Sequence, residues 1–220
     1  MTPDRPRAAP PERRTQLERR TEAEQSLLRA AIELIAEQGA EQTSLAQIGE
    51  RAGFSRGIVN HHFGTKAELI KRLVSQAQRG FAGSLPRDST KSGLDDLLAL
   101  ADSYLAPMKG SDPRHRAFLV MWAEAAGAGR DVRPSFVEGD RRFRAGIQAL
   151  VERGMGDGSI RAEVDAAAYA AALVAQLRGV GVELLIDERA FKVDRVRKEI
   201  ARSISAALAA SRPRRATRAD

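Results

Sequence analysis

The sequence predicts an all-α protein: an N-terminal three-helix unit containing a helix-turn-helix, joined to a larger helical region. Three observations predict it. Apolar residues recur at three- and four-residue intervals from Leu28 to Leu208, with no strand-like alternation and no tandem repeat. Three of these stretches open on a Thr or Ser followed three residues later by Glu or Gln, the capping box that satisfies free N–H groups at a helix start. Between the second and third boxes a glycine separates two short helical stretches.

The elements follow in order. Residues 1–20 carry six arginines against Asp4, Glu12 and Glu18, are rich in Pro and show no apolar period, so they read as a disordered basic arm. Thr21-Glu22-Ala23-Glu24 starts a first helix near residue 22, with Leu28, Ala31, Ile32 and Ile35 as its apolar stripe and Gly39 as a left-handed end. Ser44-Leu45-Ala46-Gln47 starts a second over 45–52, stopped by Gly53. Ser55 caps a third, with Ile58, Val59 and Phe63 facing inward. Thr65-Lys66-Ala67-Glu68 opens a fourth with Leu69, Leu73 and Ala77. Further stripes run through Leu94–Leu105, Phe118–Ala125, Phe136–Val151, Tyr169–Leu184 and Val196–Leu208. The segment 211–220, with four arginines against Asp220, reads as a second disordered tail. The domains expected are 21–75 and 76–210 between the two arms.

Composition excludes several functions. The chain has 220 residues, a formal net charge of +7 and no cysteine, so disulfides, thiolate catalysis and Cys-ligated zinc are out and a cytoplasmic home is the default. No stretch approaches the roughly 20 uninterrupted apolar residues of a membrane span, and the N-terminus lacks the apolar core of a secretory signal. His61 and His62 are adjacent, so on a helix they point about 100° apart and do not share a metal. His115 reads as a surface histidine near a helix start. Gly154, Gly156 and Gly158 punctuate a helix end rather than cradle a phosphate, because no strand precedes them. Neither a metal nor a cofactor is expected, and no spacing asks for catalysis; a helical enzyme and a structural adaptor stay open as readings from other classes.

The chemistry concentrates on the third helix. Helix, tight Gly turn and helix is the geometry that lays a second helix in a DNA major groove. The solvent side of that helix offers Arg56, Gly57, Asn60, His61 and His62. Arg pairs with guanine and Asn with adenine at base edges. Charge agrees: from 51 to 79 stand Arg51, Arg56, Lys66, Lys71, Arg72 and Arg79 against Glu68 alone, whereas 22–50 sets Arg29 against six glutamates.

Residues 23–75 resemble the N-terminal domain of TetR-type transcriptional repressors, above all in Thr43–Ile48, Ala52–Gly57 and His61–Leu69. Ile58–Phe63, the run 118–125 and Gly156–Arg161 leading into Val164-Asp165 are similar to the BetI-like branch. The resemblance implies that Thr43 and Ser44 contact phosphate, that Ser55, Arg56, Gly57, Asn60, His61 and His62 lie on the recognition helix, and that Thr65 and Lys66 clamp phosphate. Ile58 and Asn60 stand where Thr and Tyr are usual, so the base preferences of other members do not transfer. It further implies a homodimer on a palindromic double-stranded operator, released by a small-molecule effector. The middle helices then enclose the effector, with Tyr104, Phe118, Met121, Trp122, Phe136 and Phe143 as aromatic or apolar candidates and Glu124 and Gln176 as polar ones; a quaternary amine over aromatic faces is one possible ligand. The last two helices would form the dimer through Tyr169, Leu173, Leu177, Val180, Ile200, Ile204 and Leu208. Taken without the family, those two apolar helices could equally complete the core of a monomer.

Overall fold

The computed structural model describes residues 15–83, 90–110, 112–127 and 133–210. Among them the fold is helical: α1 (Gln16–Gln38), α2 (Leu45–Ala52), α3 (Arg56–Phe63), α4 (Lys66–Gly83), α5 (Gly93–Leu105), α6 (Pro113–Ala126), α7 (Arg133–Gly156), α8 (Ala166–Ile186) and α9 (Val193–Leu208), with a 3-10 turn at Ala106–Gly110. An isolated bridge between Ile160 and Ala209 ties the end of α9 to the α7–α8 turn.

Helix α1 begins earlier than its sequence suggests. Its N-cap is Thr15, whose hydroxyl accepts from the Glu18 N–H while the Glu18 carboxylate accepts from the Thr15 N–H at 2.7 Å. Thr21 lies inside the helix and donates its hydroxyl to the Leu17 carbonyl. Both Thr boxes satisfy the same pattern, and the helix takes the one that adds another turn and a half. The basic arm therefore ends by residue 15; the remainder of it, and the tail 211–220, lie outside the described residues. The Ser44 box forms as expected, with both reciprocal bonds to Gln47. Of the Thr65 box, the Glu68 N–H donates to the Thr65 hydroxyl at 3.2 Å. Ser55 precedes α3 without a side-chain cap bond.

Apolar packing forms two clusters. The first joins α1–α4 to the inner face of α6 (Ala117, Phe118, Met121, Ala125) and to Phe136 of α7. The second gathers α5, α7, α8 and α9 around Leu97, Tyr104, Ile147, Leu177 and Ile204. Helix α6 thus packs with the N-terminal helices. Helix α8 is, by length and composition, the one described helix able to cross a membrane. Its inner face nonetheless packs as a core helix against α7, α6 and α5.

The stripe that was a candidate dimer seam completes this second cluster. Leu173, Leu177, Ile200, Ile204 and Leu208 are buried within the chain itself. Only Tyr169 and Val180 of that set remain half-exposed. These five residues are core, and the free surface of α8 lies elsewhere, along Ala168, Ala172, Ala175, Gln176 and Gly179.

Candidate nucleic-acid interface

Two glycines let α2 and α3 meet at close range. Gly53 closes α2 in the left-handed conformation (φ 78°, ψ 26°), and its N–H bonds back to the Glu50 and Gly49 carbonyls. Gly49 faces α3 so closely that a Cβ there would lie 2.7 Å from the Phe54 carbonyl oxygen and 3.0 Å from Val59 Cγ2. Val59 and Phe63 anchor α3 in the core. Ile58 does not face inward as the sequence suggested: at 40% exposed it stands on the outer side, because inward places on a two-turn helix are filled by positions four apart, here 59 and 63.

The outer face presents Ser55, Arg56, Gly57, Asn60 and His61, all exposed, and His62, half-buried. Burial lowers the His62 pKa from its ordinary value, which favours the neutral ring. The rings of His61 and His62 stand edge to face, 5.9 Å apart. Arg56 makes no ion pair among the described residues, which leaves its guanidinium for an outside partner.

Other expected DNA contacts are distributed differently. Thr43 is 2% exposed and donates to the Gly39 carbonyl at 2.7 Å, so it braces the α1–α2 turn rather than facing phosphate. Ser44 and Thr65 are exposed at their helix starts, positions where free N–H groups suit phosphate oxygens. Lys66 Nζ donates to the Glu41 carbonyl at 2.7 Å, a neutral partner that leaves the ammonium charge uncancelled. Two cations of the basic stretch are already paired. Arg51 forks onto Glu37 at 3.0 and 2.9 Å, which holds the Glu37 carboxyl below its usual range. Arg72 binds Glu24 at 2.6 Å and lies over the Phe63 ring. The acids of α1 thus neutralise the flank of the motif and leave its outer face basic.

The aromatic and polar candidates of the larger region do not line one open cavity. Tyr104, Phe118, Met121, Phe136 and Phe143 are core, Trp122 is half-buried and Gln176 faces outward. Glu124 belongs to another device: its carboxylate accepts from the Ala40 N–H at 3.1 Å through either oxygen, and from the Glu41 N–H at 3.5 Å. One helical stretch earlier, Arg116 Nε donates to the Ala36 carbonyl at 3.0 Å, while its Nη1 pairs with Glu188 beyond α8. Helix α6 therefore grips the C-terminal end of α1 at two points. Gly39 sits inside that grip, at φ 87° and ψ 160°, a positive-φ conformation other than the left-handed helix end expected for it.

A cleft of about 60 Å³ opens beside Arg116, walled by Met108, His115, Leu119, Gly181 and Leu184. His115 is not the surface histidine its position suggested. It is 7% exposed, its ring stands edge-on to Tyr104 at 5.5 Å, and burial pushes its pKa down to about 4. Sequence analysis also missed the buried Arg178 and its half-buried partner Asp140, paired at 2.7 Å, with Asp140 also accepting from Trp122 Nε1 at 3.0 Å. The signal was available: Arg178 is a lone cation in an apolar helix, which is buried only when paired.

Comparison with known proteins agrees with this architecture. Residues 27–73 match the family described as bacterial regulatory proteins, tetR family, and residues 94–209 match the C-terminal region of BetI-type transcriptional repressors. The HTH-type transcriptional repressor KstR2 of Rhodococcus jostii is 30% identical over 151 residues, 67% of this chain and 70% of that protein. The HTH-type transcriptional regulator BetI of Stenotrophomonas maltophilia is 30% identical over 102 residues, 45% of this chain and 52% of that protein. A transcriptional regulator of Saccharomonospora viridis, solved in complex with choline, shares the fold with a TM-score of 0.73 at 22% identity, covering 87% of this chain and 100% of that one. With a helix-turn-helix whose outer face is basic and a C-terminal match spanning more than half its length, the chain belongs to the TetR family of transcriptional regulators and carries a BetI-type C-terminal domain.

Proposed function

We propose that this regulator represses transcription in the cytoplasm by binding a palindromic operator as a homodimer, and that a small-molecule effector releases it. The observation that carries the DNA half is α3 itself. Val59 and Phe63 fix its rotation, and Arg56, Asn60 and His61 then face outward. Asn and Arg at base edges supply sequence selectivity, and Lys66 and the helix starts at Ser44 and Thr65 supply phosphate contacts.

Dimerisation is supported by what α8 leaves uncovered. Its outward stripe of Ala168, Ala172, Ala175 and Gly179 is built of small residues, with Gln176 as the polar residue beside them, and a Cβ at Gly179 would meet nothing within 4 Å. Small side chains of this kind let a second helix approach closely, and a two-fold axis brings the same patch of both subunits together. Release is supported by the grip of α6 on α1, which joins the cleft beside Arg116 to the helix that leads into the DNA-binding motif. Selection of bound duplexes from a random pool tests the whole. The expected winner is a palindrome bound by a dimer with a steep salt dependence. Equal retention of all duplexes would refute it.

A further inference from the structure

Arg178 is 4% exposed, and its guanidinium lies over three aromatic rings: Phe118 at 4.7 Å, Trp122 at 5.3 Å and Tyr104 at 6.0 Å. A cation among aromatic faces is the arrangement that captures quaternary ammonium ligands. Here the chain supplies its own cation, so the cage is filled from within. Of the Arg178 donors only Nη2 reaches Asp140, and Nε and Nη1 have no hydrogen-bond acceptor among the described residues. Buried guanidinium donors are ordinarily all satisfied, because each idle one forfeits its bonds to water without replacement.

These idle donors lie one aromatic layer behind the cleft. His115 walls the cleft and stands edge-on to Tyr104, the ring that Arg178 also overlies. Gly181, one helical turn beyond Arg178 on α8, lines the same cleft, and a Cβ there would strike Leu119 Cδ1 at 2.5 Å. We propose that the effector is a small apolar carboxylate, its tail in the cleft between Met108, Leu119 and Leu184 and its carboxylate on the Arg178 donors that Asp140 leaves unused. This inference rests on the effector-released repressor described above and names the chemistry of its ligand. A charge-assisted bond to a buried guanidinium favours an anion over a neutral acceptor, and a second cation beside Arg178 is repelled. To reach Arg178 the ligand turns the His115 ring, and His115 is the neighbour of Arg116, whose Nε holds the end of α1. Binding and loosening of the DNA-binding helices are coupled through that one step.

Trp122 is the only tryptophan, and its indole donates to the partner of Arg178. Its fluorescence in the full chain therefore reports the site directly. Hexanoate, hexan-1-ol and hexyltrimethylammonium carry the same tail with three different heads. A saturable response to hexanoate, at least tenfold tighter than to the other two, is expected. Arg178→Lys, which keeps the charge and loses the fork, is expected to weaken hexanoate at least tenfold. If Arg178→Lys does not fold, the double replacement Arg178→Leu with Asp140→Leu removes both charges together and takes its place. Binding of the ammonium compound or the alcohol as tight as that of hexanoate, or hexanoate binding unmoved by these variants, overturns the proposal. The same compounds are added to the protein on a selected duplex. A hexanoate response at Trp122 that leaves DNA bound supports the anion site and overturns its role as effector site. Release by the ammonium compound alone supports an effector-released repressor and overturns the carboxylate.

Discussion

Every outward residue of α3 owes its direction to an inward one. Asn60 follows Val59 by one position, and Arg56 and Asn60 are a turn apart on the same outer side. Asn60→Ala or Arg56→Ala should each weaken the selected site by about 1–3 kcal/mol and leave scrambled DNA little changed. Lys66→Ala should weaken both alike and flatten the salt slope, as fluorescence anisotropy at several salt concentrations would show. His115 yields a pH prediction. Its folded pKa of about 4 lies below the ordinary 6.5, so the unfolded chain takes up a proton that the folded chain refuses. Stability from this group is therefore intact above pH 6.5 and falls as the pH drops towards 4, by on the order of 3 kcal/mol. Denaturant titrations across that window should show a smaller loss for His115→Phe, and an equal loss would place the cause elsewhere. The outward placing of Arg56, Asn60 and His61 was legible because exposed polar residues on a short helix need no tertiary information. Thr43, Ile58 and His115 were not, since their burial is decided by α1, by the rotation of α3 and by Tyr104, none of which sequence spacing reports.

Helix α6 holds the C-terminal end of α1 through Arg116 and Glu124, and Gly39 is the place where that hold is tightest. An alanine Cβ at Gly39 would come within 2.5 Å of Glu124 Oε1, on a backbone with positive φ. Gly39→Ala should cost about 2 kcal/mol and Glu124→Ala about 1–2 kcal/mol. The double variant should lose less than their sum, because removing the carboxylate relieves the clash. Strict additivity in thermal melts would mean that the two sites do not act together. The helices themselves were readable from their apolar period and from glycines after α1 and α2. The start of α1 was not, because Thr15 and Thr21 offer equivalent boxes and the choice depends on how much helix the surroundings support. Nor was the two-point hold, which links residues more than 70 positions apart.

At the scale of the molecule, burial separates two kinds of variant in the last helices. Ile204 is fully enclosed by its own chain, so Ile204→Asp should lower stability by several kcal/mol and abolish folding rather than yield a folded half. Ala175 is exposed on α8, and Ala175→Asp should leave the helical signature intact while shifting sedimentation from dimer to monomer and removing selectivity for a palindrome. A folded Ala175→Asp protein that still sediments as a dimer would move the contact to another face. The apolar character of α8 and α9 was plain in the sequence; which face meets the chain's own core was not, because a helix apolar on most sides carries no directional mark. The first apolar cluster bears on how such regulators can be recombined. Ala117, Phe118, Met121 and Ala125 close the underside of the DNA-binding helices although they lie some forty residues beyond them in the chain. A hybrid repressor made by exchanging only the N-terminal third would inherit a foreign floor for its new top. Grafting a different operator preference onto this C-terminal domain requires transplanting α3's outer residues alone, or carrying the inner face of α6 along with the helices it supports.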